Sequence, residues 1–324
     1  MRPIIARLII IALTGSLASC GQARPGDRLD STHIDTALTA FRQDDPDVLG
    51  TLENGAAMAH LQRHAGRTGY YSRETTDRQI IEDLIHLDDP VQTGRALPAQ
   101  QLRDRIVGDP ERQQTCFGEA RSHWPEDWRE PVTVYLTWGY DIGVASDLGA
   151  SLNLAHPHFL EQPDEVWFYC VHEVHHVGLI RRHEFPDIPG LETRGDLLAA
   201  VRYLTFLEGT AVYAAHDWRA REAALDADGD YAALQNPARM EVISAHYLEY
   251  LDTLSDRPPG EAISDADWEI IEEMSGGDRL WYRHGAFMAA EIDEVLGRAA
   301  YLEVLENGPD AFFAAFEALA ETAR

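Results

Sequence analysis

The run EVWFYCVHEVHHVGLIRR at residues 165–182 constrains this chain more than any other segment. Val166, Trp167, Phe168, Val171, Val174, Val177 and Leu179 spread around the whole circumference of a helix, which predicts a helix buried on every side. The same turns carry His172, Glu173, His175 and His176, and buried ionisable groups need partners. At about 100° per residue, positions four apart lie close in angle, so His172 and His176 project from one face and can share one metal ion. Glu173 flanks that face, suited to a water beside the ion and poorly placed as a ligand. His175 lies on the side away from Glu173, so pairing it with His172 would lose the flanking carboxylate. A plainer reading, a core helix with hydrogen-bonded histidines, needs no metal.

Glu208 changes the balance between those readings. The apolar stripe Leu197, Val201, Leu204, Glu208, Ala211, Val212, Ala215 sets this carboxylate in the middle of a buried helical face. A carboxylate there requires a cation, either a metal ion or an arginine such as Arg202. Zinc, Zn2+, held by His172, His176 and Glu208 would have a two-histidine, one-carboxylate ligand set with a fourth position open.

The remaining chain reads as an α+β fold that is predominantly helical. Helical stripes such as Ile34, Leu38, Phe41 and Ile80, Ile81, Leu84, Ile85 occupy residues 33–130 as a helical N-terminal region. After Pro131, Val132, Val134 and Leu136 alternate with Thr133, Tyr135 and Thr137, which predicts a strand, and Ser151 to Ala155 predicts a second. A small sheet therefore precedes the two metal-binding helices, and residues 131–324 form the expected catalytic domain. The Ser151 to Ala155 strand either lies at an edge, where an extended peptide could pair and Asn153 add a contact, or is fully paired inside the sheet.

Residues 21–32 are polar, hold Pro25 and Gly26, and read as a tether. Residues 1–20 set Arg2 and Arg7 with an apolar run that ends in small residues and Cys20, as an export signal does. Leu17, Ala18, Ser19 and Cys20 resemble a bacterial lipobox, which implies a signal peptide cleaved before an acylated Cys20. The expected location is the cell envelope, anchored by lipid to a membrane on its periplasmic or outer side. Cys116 and Cys170 would then share an oxidising compartment, as a disulfide or as two buried thiols.

The formal net charge of −28 excludes nucleic acid as an expected partner. All 27 basic residues are arginine, a compositional bias with no chemistry of its own. In DADGD, Asp226 to Asp230, the glycine stands fourth and no glutamate ligand follows at the twelfth position, so this is an acidic loop and not a calcium-binding hand.

With His172, Glu173, His176 and then Glu208, Gly209 and Ala211, the chain resembles the gluzincin-type zinc metallopeptidases, most closely those that combine HExxH with a downstream EGxA. The resemblance extends to YxxG at Tyr282 to Gly285 and to GPxxFF at Gly308 to Phe313. It implies hydrolysis of peptide or protein substrates by a metal-activated water, with Glu173 as general base and Tyr282, or else His284, as the donor to the oxyanion. Many gluzincins carry an acidic residue four positions after the third ligand. Val212 stands there, which leaves Asp196 and Asp217 as candidates for orienting a histidine. Two other readings stay open: a lipid-anchored, non-catalytic binding or assembly factor, and metal-assisted hydrolysis of a non-peptide bond.

Overall fold

The computed structural model describes residues 22–322, so the export signal and the Cys20 acylation site lie outside the described residues. The protein is predominantly helical with one four-stranded sheet, the expected α+β class. No helix among the described residues is long and apolar enough to cross a membrane. The chain divides into two compact units.

The first unit contains the described residues up to Ser122 together with Asp127–Glu184. Its strands are β1 (Arg28–Asp30), β2 (Thr133–Thr137), β3 (Gly143–Ser146) and β4 (Gly149–Asn153). Its helices are α1 (Thr32–Gln43), α2 (Ala56–Thr68), α3 (Asp77–Leu84), α4 (Pro90–Val107), α5 (Pro110–Ser122), α6 (Pro157–Glu161) and α7 (Glu165–Arg182). The sheet order is β1-β2-β4-β3, with β1 and β4 parallel to β2 and β3 antiparallel to β4.

One sequence expectation changes here, and one open alternative is decided. Residues 28–30 fall in the stretch read as a tether, yet they pair with β2, Leu29 opposite Val134. The cause is long-range charge: the buried Asp27 carboxylate receives Arg121 Nε at 2.8 Å, Arg121 Nη2 at 2.6 Å and the Val132 amide at 2.9 Å, which pins a polar segment to the sheet. The strand expected at Ser151 to Ala155 is interior, with Ser151 opposite Tyr135 on one side and Val144 on the other. It has no free edge for a substrate, and Asn153 is committed to the Gly139 carbonyl (2.8 Å) and the Ala155 amide (3.1 Å). The outer strand on this side is β3.

Buried polar groups in β3 and β4 are satisfied from α2. His60 bridges Ser146 Oγ (2.8 Å) and Ser151 Oγ (3.1 Å) through its two ring nitrogens and stacks on Tyr135. Cys116 of α5 and Cys170 of α7 form a disulfide with Cα atoms 6.0 Å apart, which ties the metal-motif helix to its neighbour.

The second unit contains His123–Glu126 and the described residues from Phe185 onward. It is all helical: α8 (Arg194–Arg221), α9 (Gly229–Leu234), α10 (Pro237–Ser255), α11 (Asp265–Ser275), α12 (Leu280–Leu296), α13 (Arg298–Asn307) and α14 (Pro309–Thr322). A capping box between Thr193 and Asp196 starts α8. The buried Arg194 pairs with Asp267 and donates to the Thr253 and Leu254 carbonyls. Helices α8 and α12 cross at Gly209 and Gly285, where a Cβ on Gly209 would meet the Gly285 carbonyl carbon at 2.3 Å.

Three buried histidines make the fold acid-sensitive. Burial holds His33 at about 4 and both His60 and His284 at about 3, against an ordinary value near 6.5. Each folded value is depressed, so each neutral ring favours the native state above the unfolded value, and that advantage is lost as pH falls through it. The unfolded chain takes up protons that the folded one refuses. From pH 7 to pH 5 this costs about 2 kcal/mol for each ring. The urea midpoint of metal-free protein should therefore fall between pH 7 and pH 5, and an unchanged midpoint would contradict the burial of these rings.

Candidate metal centre

Helix α7 realises the expected residues 165–182 and is buried along almost its entire length, including Glu173, His175 and His176. The His172 and His176 rings lie 4.5 Å apart, centroid to centroid, at 83°. That is the one-face pairing that the spacing of four residues predicts. His172 is half-buried and its ring stands 6.3 Å from that of Tyr169.

Glu173 is packed against the outer strand of the sheet. A methyl group on Gly143 of β3 would fall 2.7 Å from a Glu173 carboxylate oxygen and 2.9 Å from its Cγ. Only a residue without a side chain lets the strand pass this close to the carboxylate. Nothing in the local sequence around Gly143 signals this contact, because its partner lies 30 residues further along the chain.

Glu208 lies midway along α8, half-buried among the buried Val201, Ala211, Val212 and Ala215. Arg202, the alternative cation for it, is engaged elsewhere: Nη2 lies 3.5 Å from Asp310 and the guanidinium rests 4.0 Å above the Phe313 ring. One ligand atom from each of His172, His176 and Glu208 lies within 4.8 Å of the others. Two imidazole nitrogens and a carboxylate oxygen at that spacing fit the coordination chemistry of zinc. His175 is not in this group, and Cys170 is consumed by the disulfide.

The α8/α12 crossing positions Tyr282. Glu208 directly precedes Gly209, and Tyr282 is one turn ahead of Gly285, so the contact between the glycines brings the Tyr282 turn to Glu208. Burial pushes the Tyr282 hydroxyl pKa up, the Glu208 charge adds to that, and Arg279 opposes it. The hydroxyl is therefore a proton-bearing donor at neutral pH. His284 occupies different surroundings: Nδ1 meets Ser244 Oγ at 2.9 Å, the ring stacks on Tyr247 at 4.4 Å, and Phe316 meets it edge-on.

Neither carboxylate considered for orienting a histidine is positioned by α8 for that task. Asp196 caps the helix through Thr193, and Asp217 pairs with the adjacent His216. The acidic loop at Asp226 to Asp230 is bound to arginines, Asp228 to Arg219 and Asp230 to both Arg279 and Arg283.

A family model described as "Putative zinc dependent peptidase (DUF5700)" matches residues 112–324, more than half of the chain. The match begins in α5 and takes in β2 to β4, α6, α7 and the whole of α8 to α14, leaving β1 outside it. No curated protein and no solved structure matches the chain.

Proposed function

The chain belongs to the family described as "Putative zinc dependent peptidase (DUF5700)", and from that membership we propose that it hydrolyses peptide bonds with Glu173 as general base and zinc held by His172, His176 and Glu208. The observation that carries the reading is the approach of those three ligand atoms to within 4.8 Å, with a buried glutamate on the same helix directly after the first histidine.

Bound zinc supplies Lewis acidity, polarising the scissile carbonyl and making an attacking water easier to deprotonate. Glu173 takes the proton of that water on a carboxylate oxygen and delivers it to the leaving amine nitrogen. The Tyr282 hydroxyl donates a hydrogen bond to the carbonyl oxygen as negative charge builds there. An extended substrate would pair with β3, the outer strand, and Gly143 keeps that strand beside the Glu173 carboxylate. A strand edge at this position favours a peptide over an isolated ester, because an ester carbonyl can accept from the strand but has no N–H to donate back to it. The Leu17 to Cys20 sequence and the Cys116–Cys170 disulfide support an exported, lipid-anchored enzyme.

Glu173→Gln tests the assignment, because the amide keeps size and shape but cannot accept the proton. The variant should retain about one zinc per chain and lose hydrolysis of a quenched fluorescent peptide library by roughly 10²- to 10⁴-fold. Undiminished hydrolysis in the variant, or wild-type protein without zinc, would overturn the reading. Wild-type protein with full zinc and no hydrolysis would favour a binding factor instead.

A further inference from the structure

We propose that Arg279 is a receptor for a carboxylate group of the substrate, so that this protein selects peptides bearing a free carboxylate next to the bond it attacks. The inference rests on the peptidase reading for its substrate class and on the second unit alone for its geometry.

Arg279 stands immediately before α12 in the left-handed conformation, φ 48° and ψ 52°. Its Nε donates to both oxygens of Asp230, at 3.1 and 2.9 Å, and its guanidinium lies 3.6 Å above the Tyr282 ring. The same Asp230 receives Arg283 Nε at 2.9 Å. One buried carboxylate thus serves two guanidinium groups. Asp278 adds a second negative charge, 3.4 Å from both Arg283 and Arg239, so three arginines share two aspartates, with Glu208 as a further acid acting on Arg279.

Two of the three reach solvent, Arg239, whose side chain is 51% exposed on Asp278, and Arg279 beside Tyr282. The Arg283 side chain is 7% exposed, whereas the Arg279 side chain is 39% exposed. Among the described residues, the terminal nitrogens of Arg279 have no hydrogen-bond partner, because Asp230 engages only Nε. Asp230 fixes the inner edge of the guanidinium and Tyr282 fixes its plane. The outer edge is left as a rigid two-pronged donor, the shape that binds a carboxylate with two parallel hydrogen bonds. Its position follows from its neighbours: Tyr282 is the residue that the crossing at Gly209 and Gly285 brings to Glu208, and the Glu208 charge acts on Arg279 as well as on Tyr282. The guanidinium edge that Asp230 leaves unbonded is suited to a carboxylate that arrives with the substrate.

The shared chemistry is a carboxylate, whether the C-terminus of a peptide or an acidic side chain. Zinc-loaded Glu173→Gln protein, in which cleavage is suppressed, would be titrated by calorimetry with N-acetylated tetra-alanine as the free acid, as its C-terminal amide, and as the amide with one glutamate at each position in turn. At least one carboxylate-bearing peptide should bind about 10- to 100-fold more tightly than the neutral amide, and which one does so identifies the source. Adding Arg279→Met should abolish that preference. Should Arg279→Met fail to fold, Arg279→Lys carries the test: it keeps a charge opposite Asp230 but lacks the fork, and the preference should shrink by roughly tenfold. Equal binding of all the peptides, or of none, overturns the proposal, as does a preference that survives in the Arg279 variants. Preferential binding by a wild-type protein that cleaves nothing would leave the receptor standing and remove the peptidase.

Discussion

Glu208→Ala should reduce zinc affinity by roughly three orders of magnitude while leaving the metal-free fold in place. A structural four-ligand zinc site is worth about 10–16 kcal/mol, so one protein ligand carries on the order of 3–4 kcal/mol of it. The fold should tolerate the change because Glu208 is half-buried and α8 is secured elsewhere, by its Thr193–Asp196 capping box and by the buried Arg194–Asp267 pair. Alanine is also the best helix former. Two measurements are needed together: zinc content after dialysis against a weak chelator, and the urea midpoint of the metal-free protein. Full zinc retention would show that Glu208 is not a ligand. A collapsed midpoint would show that its main partner is structural. Glu208→Asp, which withdraws the carboxylate by one methylene, should fall between wild type and alanine in zinc content.

Local periodicity carries most of the information for the metal-ligand cluster. The spacing of His172 and His176 needs only a helix, and α7 has the expected bounds. Glu208 was legible because a charge interrupted an otherwise apolar stripe, and the structure groups it with the two histidines. Information that depends on distant pairing was not legible. The segment at residues 28–30 looked like a tether because its stabilising partner, Arg121, lies 94 residues from Asp27. The Ser151 to Ala155 region was visible as a strand, but strand order is a property of the whole sheet, and alternation in one segment cannot tell an interior strand from an outer one. Asp230 read as one residue of an acidic loop until its two arginines, 49 and 53 positions later in the chain, gave it a role. Arg279 left only a faint signal, an arginine after Gly276, Gly277 and Asp278 that precedes the YxxG already noted.

Gly209→Ala should cost about 3 kcal/mol or more, an unusually large effect for adding one methyl group. In most helix interiors the same change is favourable by roughly 0.5–1 kcal/mol, and Gly94 of α4, with nothing within 4 Å of its absent Cβ, should behave that way. At Gly209 the new carbon would lie 2.3 Å from the Gly285 carbonyl carbon, 2.4 Å from its Cα and 2.7 Å from the Ala286 nitrogen. These are backbone atoms on a second helix, so no flexible side chain can yield. Relief requires α8 and α12 to separate by more than 1 Å, since carbon atoms pack at about 3.5–4.0 Å. Gly285→Ala meets the same wall from the other side, 2.3 Å from the Thr205 carbonyl oxygen and 2.9 Å from Gly209 Cα. Once either methyl has forced the helices apart, the second finds room already made, so the double variant should lose less stability than the two single losses added together. Urea unfolding of the four proteins measures this directly, with Gly94→Ala as the control for helix propensity. The separation also carries Tyr282 away from Glu208, so hydrolysis by the folded fraction should fall further than zinc binding does. Equal losses in the two would mean that the crossing holds α8 in place without setting the position of Tyr282.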